Sequence, residues 1–199
     1  MEVTRLSNIT VGQYQLLNDI DANLSIMEQN IYAVAAIKDI TYEEASKIKL
    51  KDFADMIAEL NEFNVRQLEK LKINNKIELN GERYHIEHKP DNLTSGQLLD
   101  VINIRSKHQG EGVKVMDLLL AAICKPKGKE YGDDGLSLNE RAALIRGIEL
   151  KGVWNVFVFF WNLWNDYLNN TEDSLDKWMT ESLTMVREIL DDDLDSSAS

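Results

Sequence analysis

Three groups of residues have side chains that chemistry uses. His85-Ile86-Glu87-His88 offers two imidazoles and a carboxylate within four positions. On a strand, residues three apart point to opposite faces, so His85 and His88 cannot share one ion there, and no third ligand cluster accompanies them. Ordinary polar residues at a hairpin end are the expectation. Cys124, the single cysteine, stands beside Lys125, which favours a thiolate. No His or acid is assigned to it from the sequence, so a buried structural thiol is expected. Lys125, Lys127 and Lys129 flank Pro126 and Gly128 and could hold a phosphate. They lack the Gly-x-x-x-x-Gly-Lys-Ser/Thr pattern and an immediately following helix N-terminus, so they read as a solvated loop able to touch an acidic neighbour. His108, isolated in a polar loop, receives no role. No catalytic, cofactor-binding or metal-binding residue is assigned, no cofactor is expected, and the chain reads as non-enzymatic.

Composition narrows the partners. Of 199 residues, 34 are acidic and 22 basic, a net charge of −12. A general nucleic-acid binder needs the opposite surplus, so direct nucleic-acid binding is not expected. Apolar residues make up 44% and prolines number two, the composition of a folded, helix-rich protein. One cysteine cannot close an intramolecular disulfide, which points to a reducing compartment. The start, Met1-Glu2-Val3-Thr4-Arg5, does not read as a signal peptide, and no apolar run approaches the ~18 residues of a membrane span, so a cytoplasmic protein without a membrane partner is expected.

The elements that must position these residues show an internal repeat. Ile9-Thr10-Val11-Gly12-Gln13-Tyr14 recurs as Leu93-Thr94-Ser95-Gly96-Gln97-Leu98, at an offset of 84. Ala35-Ala36-Ile37 recurs as Ala121-Ala122-Ile123, at an offset of 86. Thr10 and Thr94 are N-cap residues with Gln13 and Gln97 three positions on, so each starts a helix in a capping box. Thr41 with Glu44, and Ser137 with Glu140, cap further helices, and Leu50 opens another in which Phe53, Met56, Ile57, Leu60 and Phe63 fall at helical spacing. Between the copies, residues 73–88 alternate apolar and polar about Asn80-Gly81, the signature of a hairpin with a type I′ turn. Ile77, Leu79, Tyr84 and Ile86 form its buried side. A lone hairpin is marginal, so it should pack on a helical copy or pair with a neighbouring chain's edge.

The expected fold is mainly α: two similar helical modules joined by a β-hairpin, then a C-terminal aromatic helix and an amphipathic helix, α+β by strict count. The divisions are 1–72 for the first copy, 73–90 for the hairpin, 91–170 for the second copy ending in the aromatic helix, 171–190 for the amphipathic helix and 191–199 for an acidic tail. The aromatic segment carries Trp154, Phe157, Trp161 and Trp164 along one stripe, with Phe159, Phe160 and Leu163 on adjoining faces. Such a helix must be covered all round, by the core or by a partner. A chain this small has little room inside for so many rings, which favours a protein interface anchored by Trp154, Phe157, Trp161 and Trp164 with Lys125, Lys127 and Lys129 as a polar contact. Residues 172–199 carry nine acids and two bases, a net −7, and read as a solvating end or an acidic arm for a basic partner.

The phrases Ile9-Thr10-Val11-Gly12-Gln13-Tyr14, Asp39-Ile40-Thr41-Tyr42-Glu43-Glu44 and Gly96-Gln97-Leu98-Leu99-Asp100, with the stretch from Ala121 to Tyr131, give most of residues 9–165 a resemblance. The chain resembles small helical morphogenesis proteins of tailed bacteriophages, particularly those infecting Bacteroides and its relatives. That resemblance implies a virion structural or assembly component of the portal, collar or tail, acting on other phage structural proteins and on itself as an oligomer, in the host cytoplasm during assembly or in the virion. A tail-assembly chaperone for a long tail protein is the alternative within the class, and an enzyme with an unrecognised site is the alternative outside it.

Overall fold

The computed structural model of the chain describes residues 8–63, 68, 70–108 and 111–165. It divides into two compact units, 1–160 and 161–199, and of the second unit the described residues 161–165 are helical. The amphipathic helix expected beyond 171 and the acidic tail lie outside the described residues. The chain is mainly helical with a small three-stranded sheet, in agreement with the fold class read from the sequence.

In the first unit the elements are α1 (Val11–Asn18), α2 (Ile26–Lys38), α3 (Tyr42–Ser46), α4 (Leu50–Glu62), β1 (Lys76–Leu79), β2 (Glu82–Ile86), α5 (Ser95–Lys107), α6 (Met116–Ile123), β3 (Cys124–Pro126), α7 (Leu138–Arg146) and α8 over 150–160. Polar residues one turn apart set the starts. Thr10, Thr41, Thr94 and Ser137 each accept from the amide three residues on, and Gln13, Glu44, Gln97 and Glu140 answer the cap backbone. Ser25 and Glu28 form a fifth such box at α2. The serine hydroxyl and amide hold the Glu28 carboxylate below its ordinary pKa, so that box works at neutral pH.

The hairpin forms as expected. Asn80 and Gly81 both have positive φ, 49° and 80°, and Ile77, Leu79, Tyr84 and Ile86 are buried. One of its two edges is covered inside the chain, since β3 pairs antiparallel with β2, placing Tyr84 opposite Pro126 and Ile86 opposite Cys124. The third strand escapes sequence reasoning because it is three residues long, ends in proline and follows α6 without a break.

Packing centres on the second copy. Met116 and residues 119–123 of α6 are fully buried, and α6 packs against α5, α7 and α1. Val153, Val156 and Phe160 of α8 are likewise fully buried. The first copy has its own smaller core of Val34, Ala35, Ala45 and Phe53, flanked by Ile31, Ile40, Ile48, Met56, Ile57 and Leu60. α1 packs on α2 of its own copy and also docks on the second. Val11 N donates to the Ile148 carbonyl at 2.9 Å and Leu150 N to the Ile9 carbonyl at 2.7 Å.

Docking this close requires a glycine. A Cβ on Gly12 would sit 3.2 Å from Arg146 Cβ and 3.3 Å from the Arg146 carbonyl oxygen, whereas one on Gly96 would meet only the Tyr131 ring at 3.7 Å. Gly12→Ala is therefore expected to push α1 off α7 and cost about 1–3 kcal/mol. Gly96→Ala should change chemical-denaturation stability by less than about 1 kcal/mol.

Candidate functional site

Most buried polarity gathers where the sheet meets α5, α6 and α7. Arg141 stands at the head of the apolar Ala142–Ile145 stretch of α7 and is 1% exposed. Its Nε and Nη2 fork onto Asp134 Oδ2 and Oδ1 at 3.0 and 2.8 Å, and Nη1 donates to the Ala121 carbonyl at 3.1 Å. The guanidinium lies 4.9 Å from the centroid of the Tyr131 ring. Tyr84 OH donates to Asp134 Oδ2 at 3.1 Å, and Tyr131 OH donates to Asp100 Oδ2 at 2.6 Å. Asp134 also accepts from the Leu136 amide, so its carboxylate oxygens are filled by a fork, a phenol and a backbone donor.

The electrostatics follow from burial. Burial alone pushes the Asp134 carboxyl up, but the Arg141 hydrogen bonds and charge and the Leu136 amide outweigh it, and its pKa falls below the ordinary value. Burial, then the bond to Asp134, pushes the Tyr84 phenol up to about 12. Burial pushes the Cys124 thiol up to about 12 as well. At neutral pH the phenol and the thiol are protonated and the carboxylate is engaged, which leaves neither a nucleophile nor a free base in this cluster. It acts as a staple tying the hairpin and the 127–137 loop to the helices.

A second polar junction seats α1. Asp117, fully buried, accepts from Gln15 Nε2 at 2.8 Å and from Arg146 Nε at 2.6 Å. Gln13 Nε2 donates to the Ile37 carbonyl at the end of α2, at 2.7 Å. The corresponding carbonyl of the second copy, Ile123, takes the Glu87 amide of the hairpin instead, and among the described residues the buried Gln97 Nε2 has no hydrogen-bond partner.

Two of the clefts among the described residues are of similar size and open to solvent. One lies in the first copy between α1, α2 and α3 and has a volume of about 540 Å³. Leu16, Ile20, Leu24, Tyr32, Ala36 and Ile40 give it an apolar lining, and Asp19, Asp21 and Asp39 contribute acidic groups. Leu16 is 56% exposed, and the Tyr32 ring lies 4.7 Å from that of Tyr42, tilted by 44°. The other, also about 540 Å³, lies at the sheet, with Lys76, Arg83, His85, Lys125 and Lys127 among its lining residues. There the register sets Lys76, His85 and Lys125 side by side.

The residues singled out in the sequence fall as follows. Trp154, Phe157 and Trp164 are buried within the chain, and Trp161 is half-buried. Trp154 meets Tyr14 of α1 edge-on at 5.4 Å, because α1 needs an apolar floor where it docks. Three of the four rings expected as interface anchors are thus buried, and the exposed large apolar side chains of this segment are Phe159 and Leu163. Lys125 belongs to β3 and reaches Glu130 at 3.8 Å, and Lys129 pairs with Glu82 at 2.6 Å. The buried rings and the lysines therefore do not form one surface. His85 lies 3.8 Å from Glu87, and His88 packs edge-on to Phe159 at 5.4 Å. Cys124 is fully buried, as expected. Asp134, Arg141, Tyr131, Asp100 and Asp117 went unmarked in the sequence. The one signal was a lone Arg141 beside Ala142-Ala143-Leu144-Ile145, on the face that faces the core.

Among the described residues no helix is long and apolar enough to cross a membrane. No family model, curated protein or solved structure matches the chain.

Arg141→Ala is expected to cost about 3–5 kcal/mol, since it leaves Asp134 buried without its partner. Urea titrations should show the pair's contribution intact at neutral pH and lost as pH falls below the unfolded carboxyl value near ~3.9, because the folded-state pKa is the lower one. A thiol reagent should label Cys124 in the native chain only at the rate of unfolding, and at once in denaturant.

Proposed function

We propose that the chain is a non-enzymatic assembly component of the tailed-bacteriophage morphogenesis type, working by protein–protein contact at the portal, collar or tail. The observation that carries this reading is a contrast between its surfaces. The buried polar cluster has its charged groups fixed in internal bonds, while the cleft between α1, α2 and α3 leaves Leu16 and Tyr32 exposed beside three aspartates. An apolar cleft rimmed by carboxylates suits an extended or helical partner segment that offers apolar side chains with lysine or arginine beside them. The basic strip of the sheet, with Lys76, His85, Lys125 and Lys127, supplies a polar contact for an acidic neighbour. The phage-morphogenesis part of this reading rests on the resemblance carried by the repeated Thr-x-Gly-Gln phrases.

Mass spectrometry of purified particles tests the structural role, for which a stoichiometric amount of the chain is expected. Its absence from particles, with recovery on a tail protein from the lysate of infected cells, would replace that role by the chaperone reading. Tyr32→Lys adds a like charge to the expected partner's base. It should weaken co-purification about tenfold, a loss of ~1.4 kcal/mol, with helical content unchanged. Undiminished co-purification would remove the cleft from the contact.

A further inference from the structure

The cleft on the sheet has walls and a floor set by strand register. Side chains alternate along a strand, and Ile77, Tyr84 and Pro126 turn into the core, so the residues on either side of them point outward. Lys76, His85 and Lys125 form one outward row across the three strands. Glu78, Arg83 and Lys127 form the next, since Glu78 pairs with Arg83 and Lys127 N donates to the Arg83 carbonyl at 2.8 Å. These rows wall the cleft of about 540 Å³, and the backbone of Ile77, Tyr84 and Pro126 lies between them as its floor. Two residues rise ~7 Å along a strand, which sets the distance from wall to wall.

The bases of these walls are not neutralised as bases are elsewhere in the chain. Lys114, Lys129, Arg141, Arg146 and Lys151 each have a carboxylate at 3.0 Å or less. Lys125 and His85 have theirs at 3.8 Å, in Glu130 and Glu87. Among the described residues Lys76, Arg83 and Lys127 have no ion-pair partner, although Glu78 stands directly across from Arg83 and the whole chain carries 34 acids against 22 bases. Cations gathered about one concave face concentrate a positive potential there, which an incoming carboxylate relieves.

We propose that this trough docks an extended, acidic segment of a partner protein, with Asp or Glu at alternate positions. The inference rests on the reading of the chain as a part that works by protein contact, and it gives that contact a sequence rule. In an extended segment laid along the strands, residues i and i+2 point the same way and lie ~7 Å apart, the spacing of the two walls. One carboxylate then meets Lys125, and the next meets Arg83 and Lys127 in charge-assisted hydrogen bonds. Glu78 repels a carboxylate from the β1 corner, so the segment lies over β2 and β3. Nucleic acid fits less well. No Phe, Tyr or Trp points outward from this face to stack a base, and a net charge of −12 opposes a long run of phosphates.

Fluorescence anisotropy of the full chain with a labelled peptide alternating Asp and Ser tests the proposal, in ~0.1 M salt, where charges beyond ~10 Å are screened. Saturable binding is expected. A peptide of the same composition repeating Asp-Asp-Ser-Ser, in which no two aspartates stand two apart, should bind several-fold more weakly. Arg83→Glu with Lys127→Glu should weaken the alternating peptide about tenfold or more, with circular dichroism unchanged. Lys49→Glu with Lys51→Glu makes the same change of net charge on exposed lysines of the first copy and should leave binding within about twofold. No binding, equal binding of the two peptides, or equal losses in the two double variants would overturn the proposal. Tighter binding of a single-stranded oligonucleotide of the same charge would overturn it in favour of nucleic acid. Where the glutamate pair fails to fold, Arg83→Gln with Lys127→Gln decides, and undiminished binding there overturns it equally. The assay needs no phage particle, so absence of the chain from particles removes the morphogenesis reading and leaves the peptide result standing.

Discussion

The packing of the second copy turns on a single buried ion pair. Asp134 and Arg141 are both withdrawn from water, and each would be ruinous alone in a medium of low dielectric. Their bidentate fork fixes the angle at which the 127–137 loop enters α7. The carbonyl of Ala121 and the phenol of Tyr84 satisfy what remains. Because those last partners come from α6 and β2, the pair cannot be saturated unless helix, loop and sheet are all in place. Hydrogen-bond completeness thereby selects one arrangement out of the many that apolar burial alone would tolerate.

How far the structure could be read in advance depends on the distance over which each feature is decided. Capping boxes at Thr10, Thr41, Thr94 and Ser137 are settled within four residues, and the Asn80-Gly81 turn within two, so the sequence displays them directly. The box at Ser25 and Glu28 is equally local, but the polar run before it hides the serine among other candidates. β3 depends on a partner some 40 residues away in the chain, and its three residues are too few to display a period. Asp134, Tyr131 and Asp100 look like ordinary loop and helix-surface residues until the fold brings Arg141 to them. The aromatic stripe shows the opposite failure. Its period is plain, yet period alone does not tell whether the covering surface comes from the same chain, and Tyr14 of α1 supplies part of it.

The two repeated segments differ most where the hairpin lies. In the first copy Gln13 closes the end of α2, and that copy keeps a modest core with a solvent-facing cleft. In the second, the Glu87 amide has taken the equivalent carbonyl, and the sheet covers a face that the first copy leaves bare. Gln97 makes the same cap bonds as Gln13, without a counterpart to the Gln13 bond to Ile37. The same module thus serves as a core on one side of the molecule and as a surface on the other.

The stitch between the Lys151 side chain and Asn8 spans 143 residues. During synthesis at ordinary rates, α1 leaves the ribosome on the order of 10 s before its seat on α7 exists. Until residues 148–151 have followed, the Val11 amide and the Ile9 carbonyl lack the partners they have in the folded chain, so the contact that buries Val11 can close only once three quarters of the chain has been made.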